Sequence, residues 1–223
     1  MNNSKMNLRE NKIFKIQEIR ELTESAFVLR FDRHRLNFVA GQHILIGLDE
    51  SAELREYSVY SGEKDNFLEV LVKEVEDGSV SKQLKKLKVG DPIQVESAVG
   101  FFRIGKEDID KNLLFIASGT GIAPFHSFVT SYDDLNYTLL HGIRYASEAY
   151  ESDIYENHRY ISCVSKDNKG TFQGRVTDYL KENKIDKNTL VYLCGNSDMI
   201  LESKDLLEEQ GISNEHIFTE VYF

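Results

Sequence analysis

Four consecutive residues, Arg55-Glu56-Tyr57-Ser58, gather a guanidinium, an aromatic ring and a short hydroxyl. An arginine fork suits a phosphate, a tyrosine face suits a flat heterocycle, and a serine hydroxyl suits a ring nitrogen. A barrel strand with an exposed Arg and Tyr would have the same spelling, so the reading depends on what accompanies it. The companion is Ser118-Gly119-Thr120-Gly121-Ile122-Ala123-Pro124, which follows the apolar run Leu113 to Ala117. This is a strand entering a tight turn, with Pro124 suited to the first turn of a helix. Such a turn lays backbone amides against a phosphate, although it lacks the GxGxxG spelling of dehydrogenases and also fits a plain strand-to-helix connection. The pair reads as two nucleotide sites, one holding a flat ring, an arrangement suited to passing electrons.

Three further segments carry chemistry. Gly78-Ser79-Val80-Ser81 opens a short helix, where small residues expose amides to an anion; Ser79 or Ser81 could equally be an ordinary cap. Leu190 to Cys194 reads as a buried strand that ends at Gly195, and a lone buried cysteine there would ordinarily be a small core residue. The chain finishes Glu220-Val221-Tyr222-Phe223, and two terminal aromatics must pack against something, either a ligand or the core beside an edge strand.

The elements that must position these residues divide near residue 105. Before it, six short runs have strand character: Ile13–Ile19, Ala26–Phe31, His43–Leu48, Tyr57–Tyr60, Phe67–Val75 and Ile93–Ser97. One helical interruption falls at Val80–Leu87. This is the pattern of a small antiparallel barrel. After Lys111 the rhythm is strand, turn, helix, which predicts a parallel sheet with helices on its faces and ligands outside the carboxyl ends of its strands. The expected architecture is therefore a six-stranded antiparallel β-barrel, residues 1–106, followed by an α/β nucleotide-binding domain, residues 111–223.

With 223 residues and 41% hydrophobic content the chain can bury a proper core. A formal charge of −10 argues against nucleic acid. No apolar run approaches the roughly 18 residues of a bilayer span, and the first twelve residues are polar, so a soluble cytoplasmic protein with no membrane association is expected. Cys163 and Cys194 stand apart, with no spacing for an iron–sulfur cluster or other metal. Electrons leaving this chain must pass to a separate acceptor.

Taken in order along nearly the whole chain, these motifs resemble the ferredoxin-NADP reductase superfamily, and within it the bacterial ferredoxin (flavodoxin)-NADP reductases. The resemblance implies that Arg55 holds a flavin phosphate, Tyr57 covers the isoalloxazine face and Ser58 meets flavin N5. It makes Gly78, Ser79, Val80 and Ser81 a pyrophosphate segment, which favours FAD over FMN. Gly119, Thr120 and Gly121 become the pyridine-nucleotide loop, with Gly121 the position most in need of a missing side chain. Cys194, with Gly195 behind it, comes to lie near nicotinamide C4, Tyr222 over the flavin with Glu220 as a nearby carboxylate, and Phe223 against the adenine. NADP differs from NAD by a 2′-phosphate, and Arg144, Lys166 and Arg175 stand where bacterial members carry the cations that hold it. Residues 111–223 have only 10 Lys and Arg against 17 Asp and Glu, which makes three cations at strand ends less ordinary. Lys166 stands in place of the usual Arg and gives up bidentate geometry.

The implied activity is hydride transfer between NADPH and FAD, with Ser58, Cys194, Glu220 and Tyr222 at the reacting atoms, and single-electron transfer to a ferredoxin or flavodoxin. Such carriers are acidic, and Lys82, Lys85 and Lys86 form the basic cluster on which one could dock, although a lysine-rich helix is also simply well solvated. A reductase of free flavin or another small acceptor, and a non-catalytic flavin-binding subunit, are the competing readings.

Overall fold

Alternation drives the first half. In β1 (Ile13–Glu21) Phe14 and Ile16 are buried while Lys15 and Gln17 face water. Next, β2 (Ala26–Asp32) is buried almost throughout, β3 (His43–Leu48) alternates in part, β4 (Arg55–Ser58) turns from exposed to buried along its length, β5 (Phe67–Lys73) is again buried almost throughout and β6 (Pro92–Val95) alternates in part. The computed structural model describes residues 13–48 and 53–222. These six strands form one antiparallel sheet in the order β4-β3-β6-β1-β2-β5. Its edge strands meet through an isolated bridge between Val59 and Val70, with the Tyr60 amide donating to the Glu69 carbonyl at 2.7 Å. The expected barrel is thus a curled sheet whose ladder does not close continuously, because four-residue β4 is too short to pair along β5. Phe27, Leu29, Phe31, Ile44, Ile46, Val70 and Val72 are completely buried in its core.

Helix α1 (Ser79–Leu84) is shorter than the predicted Val80–Leu87. The chain tightens after Leu84, where Lys86 and Leu87 donate to Gln83 and Leu84, three residues back. Leu87 still packs on the core, which is why its spacing read as helical. Gly78 is the N-cap residue; neither serine caps, since the Ser81 hydroxyl accepts from the Val75 amide at 3.3 Å.

The second half is a parallel sheet of β7 (Leu113–Ser118), β8 (Tyr137–Ile143), β9 (Tyr160–Val164), β10 (Phe172–Gln173), β11 (Leu190–Gly195) and β12 (Ile217–Val221). Their order in the sheet is β10-β9-β8-β7-β11-β12. Every neighbouring pair runs parallel. The central strands β7 and β11 are apolar almost throughout because both faces are covered. Helices α2 (Ala123–Ser131), α3 (Val176–Glu182) and α4 (Ser197–Glu209) alternate with the strands. Leu114, Ile116, Leu140, Leu180, Val191, Leu193 and Leu207 lie in one core between sheet and helices. Asn196 caps α4 with its side-chain oxygen, accepting from Asp198 and Met199.

The carboxyl ends of this sheet carry the predicted residues. Gly119 follows β7, Arg144 follows β8, Lys166 lies two residues past β9, and Gly195 ends β11. The two compact units are residues up to Arg103 with His126–Ser131, and Ile104–Phe125 with Tyr132 onward. Among the described residues no helix is long and apolar enough to cross a membrane, and no cluster of three or more His, Cys, Asp and Glu is arranged to hold a metal ion.

Candidate functional site

Strand β4 presents the first constellation. Arg55 is exposed, Tyr57 half-buried and Ser58 buried, with Ser58 opposite His43 of β3. Alternation along the strand puts Arg55 and Tyr57 on one face. Burial pushes the Tyr57 phenol up to about 12, with Arg55 opposing the shift, so the ring stays neutral at physiological pH. Glu53, which the sequence reading passed over, ties this strand to the start of α1. Its carboxylate accepts from Arg55 Nη2 at 2.5 Å and from the Ser79 hydroxyl at 2.5 Å. The Arg55 guanidinium and the Ser79 hydroxyl thus converge on one carboxylate, and both donors are of a kind that suits a phosphate oxygen. Val80 lies in the core, so beyond its backbone it has nothing to offer a ligand. These residues fit a flavin nucleotide.

In the second unit two glycines shape the turn after β7. Gly119 has a φ of +52° and a Cβ built there would meet nothing within 4 Å, so open space lies over the loop. Gly121 is the opposite case: a Cβ would stand 2.3 Å from the Cys194 carbonyl oxygen and 2.8 Å from Gly195 Cα. The glycine turn and the end of β11 thus touch backbone to backbone. Gly195, at φ +132°, closes the same junction, where a Cβ would lie 2.2 Å from the Ser118 hydroxyl. That hydroxyl accepts from the Asn196 amide at 2.9 Å.

Parallel pairing of β11 with β12 sets Cys194 beside Glu220 and Gly195 beside Val221. The Cys194 thiol donates to the Glu220 carboxylate at 4.0 Å, and the Tyr222 amide donates to the Gly195 carbonyl at 2.8 Å. Burial, reinforced by the Glu220 charge, pushes the Cys194 thiol well up, against a smaller opposing hydrogen bond from the Tyr222 hydroxyl. A thiol held neutral is a compact packing group and no nucleophile. Three of the four predicted catalytic residues, Cys194, Glu220 and Tyr222, therefore meet at one strand end. Ser58 lies in the other unit, and Phe223 lies outside the described residues.

Two family models match the chain: an oxidoreductase FAD-binding domain over residues 13–104 and an oxidoreductase NAD-binding domain over residues 115–205. The chain belongs to the ferredoxin-NADP reductase superfamily. Toluate 1,2-dioxygenase electron transfer component from Pseudomonas putida is 28% identical over 93% of this chain, which spans 66% of that protein's length. Flavodoxin/ferredoxin-NADP reductase from Escherichia coli K12 is 29% identical over 85% of this chain and 87% of its own. Among solved structures, a ferredoxin NADP+ reductase from Neisseria gonorrhoeae with bound FAD and NADP shares the fold, with a TM-score of 0.83 at 24% identity over 95% of this chain and 98% of that one.

Within this superfamily fold, the three predicted cations stand at neighbouring strand ends. Ile143 pairs with Val164, and Val164 with Gln173, so Arg144, Lys166 and Arg175 follow adjacent strands β8, β9 and β10. All three are exposed. Glu148, four residues on, holds Arg144 through Nη2 at 2.8 Å and Nε at 3.3 Å and accepts from the Arg144 backbone amide. Glu148 closes the short turn Ala146–Glu148 and reaches back to Arg144 just after β8, a pairing made by the turn and not by a helix face. Of the basic cluster in the first unit, Lys82 donates to the Glu76 carbonyl, while Lys85 reaches the Glu24 carbonyl at 3.2 Å, Glu21 at 3.6 Å and the Phe27 ring at 5.0 Å. Lys86 is exposed.

Proposed function

We propose that this chain is an FAD-dependent NADPH reductase of a ferredoxin or flavodoxin, with residues 1–106 binding the flavin and 111–223 the nicotinamide nucleotide. The junction of Cys194, Glu220 and Tyr222 with the glycine turn carries this reading, because it assembles packing, charge and aromatic groups where a nucleotide pyrophosphate would lead. FAD, when bound, supplies hydride acceptance and stepwise electron release. On the flavin side, Arg55 and the Gly78-Ser79-Val80-Ser81 segment bind phosphate, Tyr57 covers the ring and Ser58 offers its hydroxyl to a ring nitrogen. On the nicotinamide side, Gly119, Thr120, Gly121 and Gly195 give the backbone close approach, while Cys194 packs without charge against the reacting ring. Glu220 sets its carboxylate beside the Cys194 thiol, and Tyr222 is assigned to the flavin face. Phe223 is assigned to the adenine.

Arg144, Lys166 and Arg175 are proposed to recognise the 2′-phosphate. Arg144→Ala should lower kcat/KM for NADPH about tenfold and leave NADH within about twofold, the low end for a charge-assisted contact because Glu148 shares the guanidinium. Equal losses for both nucleotides would contradict the assignment. Glu53 must yield its place before a flavin phosphate can pair with Arg55. Glu53→Gln should therefore tighten FAD about threefold, the scale of an exposed ion pair, read as Kd from quenching of flavin fluorescence. Unchanged or weaker binding would contradict it.

The acceptor is proposed to dock on the flavin unit near Lys82, Lys85 and Lys86. Lys86 is the strongest contributor, since Lys85 is engaged with Glu21, Glu24 and Phe27. With NADPH supplied, ferredoxin or flavodoxin reduction should exceed reduction of free riboflavin and should fall as salt rises. Faster reduction of free flavin would favour a small-acceptor reductase instead, and no reduction of any acceptor would favour a flavin-binding subunit.

A further inference from the structure

Strand β8 carries a completely buried histidine that the sequence reading did not single out. His141 pairs in register with Ala117 of β7 and Ser162 of β9, in the middle of the parallel sheet. Both ring nitrogens are engaged: Nε2 lies 2.9 Å from the Gly119 carbonyl oxygen, and Nδ1 lies 2.8 Å from the Tyr160 hydroxyl. We propose that His141 and Tyr160 are positioning residues that fix the orientation of the Gly119–Thr120 peptide for a dinucleotide pyrophosphate, an inference that rests on the nucleotide reading above.

A carbonyl only accepts, so Nε2 must carry the proton and donate to Gly119. Nδ1 must then accept, and the Tyr160 hydroxyl donates to it, which selects one tautomer. Burial lowers the His141 pKa to about 4, with the Gly119 hydrogen bond opposing the shift, so this neutral arrangement persists near neutrality. Tyr160 is itself held by stacking on Tyr155, ring centroids 5.4 Å apart at 8°. In a trans peptide the C=O and the following N–H point in opposite directions. Pinning the Gly119 carbonyl to a buried ring therefore aims the Thr120 N–H away from His141. Gly119 has a φ of +52° and open space beside its Cα, so the turn has room for a ligand at that residue. Without the pin, glycine's freedom lets the peptide rotate and turn a carbonyl oxygen toward the anion.

The test compares two probes on the FAD-loaded protein by calorimetry. NADP+ uses both the turn and the 2′-phosphate cations, whereas adenosine 2′-monophosphate has no 5′-phosphate to meet the turn. His141→Leu should weaken NADP+ about tenfold and leave adenosine 2′-monophosphate within twofold. His141→Gln, which keeps a donor, should recover part of the loss, and Tyr160→Phe, which frees the tautomer, should cost about threefold for NADP+ alone. If His141→Leu fails to fold, the Gln and Phe variants carry the comparison. Equal weakening of both probes would overturn the proposal by making the pair merely structural, as would unchanged NADP+ binding in all three variants. A wild-type protein that binds neither probe would instead remove the nucleotide reading on which the proposal stands.

Discussion

Gly121→Ala is expected to lower kcat/KM for NADPH about 100-fold while bound FAD keeps its absorbance. The new methyl would sit 2.3 Å from the Cys194 carbonyl oxygen and 2.7 Å from its carbon, and both are backbone atoms of a sheet strand. Ordinary contact requires about 1 Å of separation that no side-chain rotation can supply, and a displacement of that size at a positioned site costs about 100-fold in rate. Because Gly121 needs no left-handed backbone, the penalty is steric alone. The shift would also move Cys194 away from its thiol contact with Glu220, so kcat and KM should both suffer. Overpacking of this kind costs about 1–3 kcal/mol of stability, which leaves the protein folded and measurable. Wild-type kinetics in the folded variant would show that the glycine turn and the end of β11 do not form the nucleotide site.

Glu69→Ala is expected to destabilise the flavin-side unit by about 3 kcal/mol, seen as a fall of roughly 10–20 °C in its melting transition. Glu69 lies on β5 with its side chain almost completely buried, and one oxygen accepts from Arg20 at 2.5 Å and from Arg30 at 2.8 Å. Burial alone would raise its pKa, but the hydrogen bonds and charges of the two arginines outweigh that and hold it below the usual carboxylate value. Removing the carboxylate leaves the two guanidinium groups sharing the half-exposed Glu18, 3.6 Å from Arg20 and 3.0 Å from Arg30. They are 25% and 31% exposed and keep some hydration, so the loss falls at the lower end for a broken buried pair. A carboxylate with a lowered folded pKa contributes stability that is present above its unfolded value and lost as pH falls through the folded one. The gap between wild type and Glu69→Gln should thus be constant from about pH 6 to 8 and shrink below about pH 4. A gap that widens with acid would contradict the ion-pair account.

Much of this fold was legible because local pattern and burial agree. His43–Leu48, Tyr137–Ile143 and Tyr160–Val164 were predicted with the limits observed, since each is a run of apolar and β-branched residues between polar turns. Strand β10 escaped because two residues carry no periodicity; its place is set by pairing with Cys163 and Val164. The glycine turn, Cys194 and the aromatic terminus could be found as short motifs. Glu69 could not, because its partners lie 39 and 49 residues away and its own strand reads as apolar. Glu53 and His141 were missed for a related reason. Their significance lies in contacts with Ser79 and Gly119, 26 and 22 residues distant, and single-residue spelling gives no account of such pairings. The basic cluster looked uniformly available, yet Lys85 covers Phe27 and reaches Glu21 and Glu24.

The most direct measurement is anaerobic rapid mixing of the FAD-loaded protein with NADPH and, separately, NADH, following flavin absorbance before any acceptor is added. Fast bleaching by NADPH and much slower bleaching by NADH is the expected result, joining the flavin site, the Cys194 junction and the three cations in one observation. A flavin that neither nucleotide reduces would contradict the reductase account.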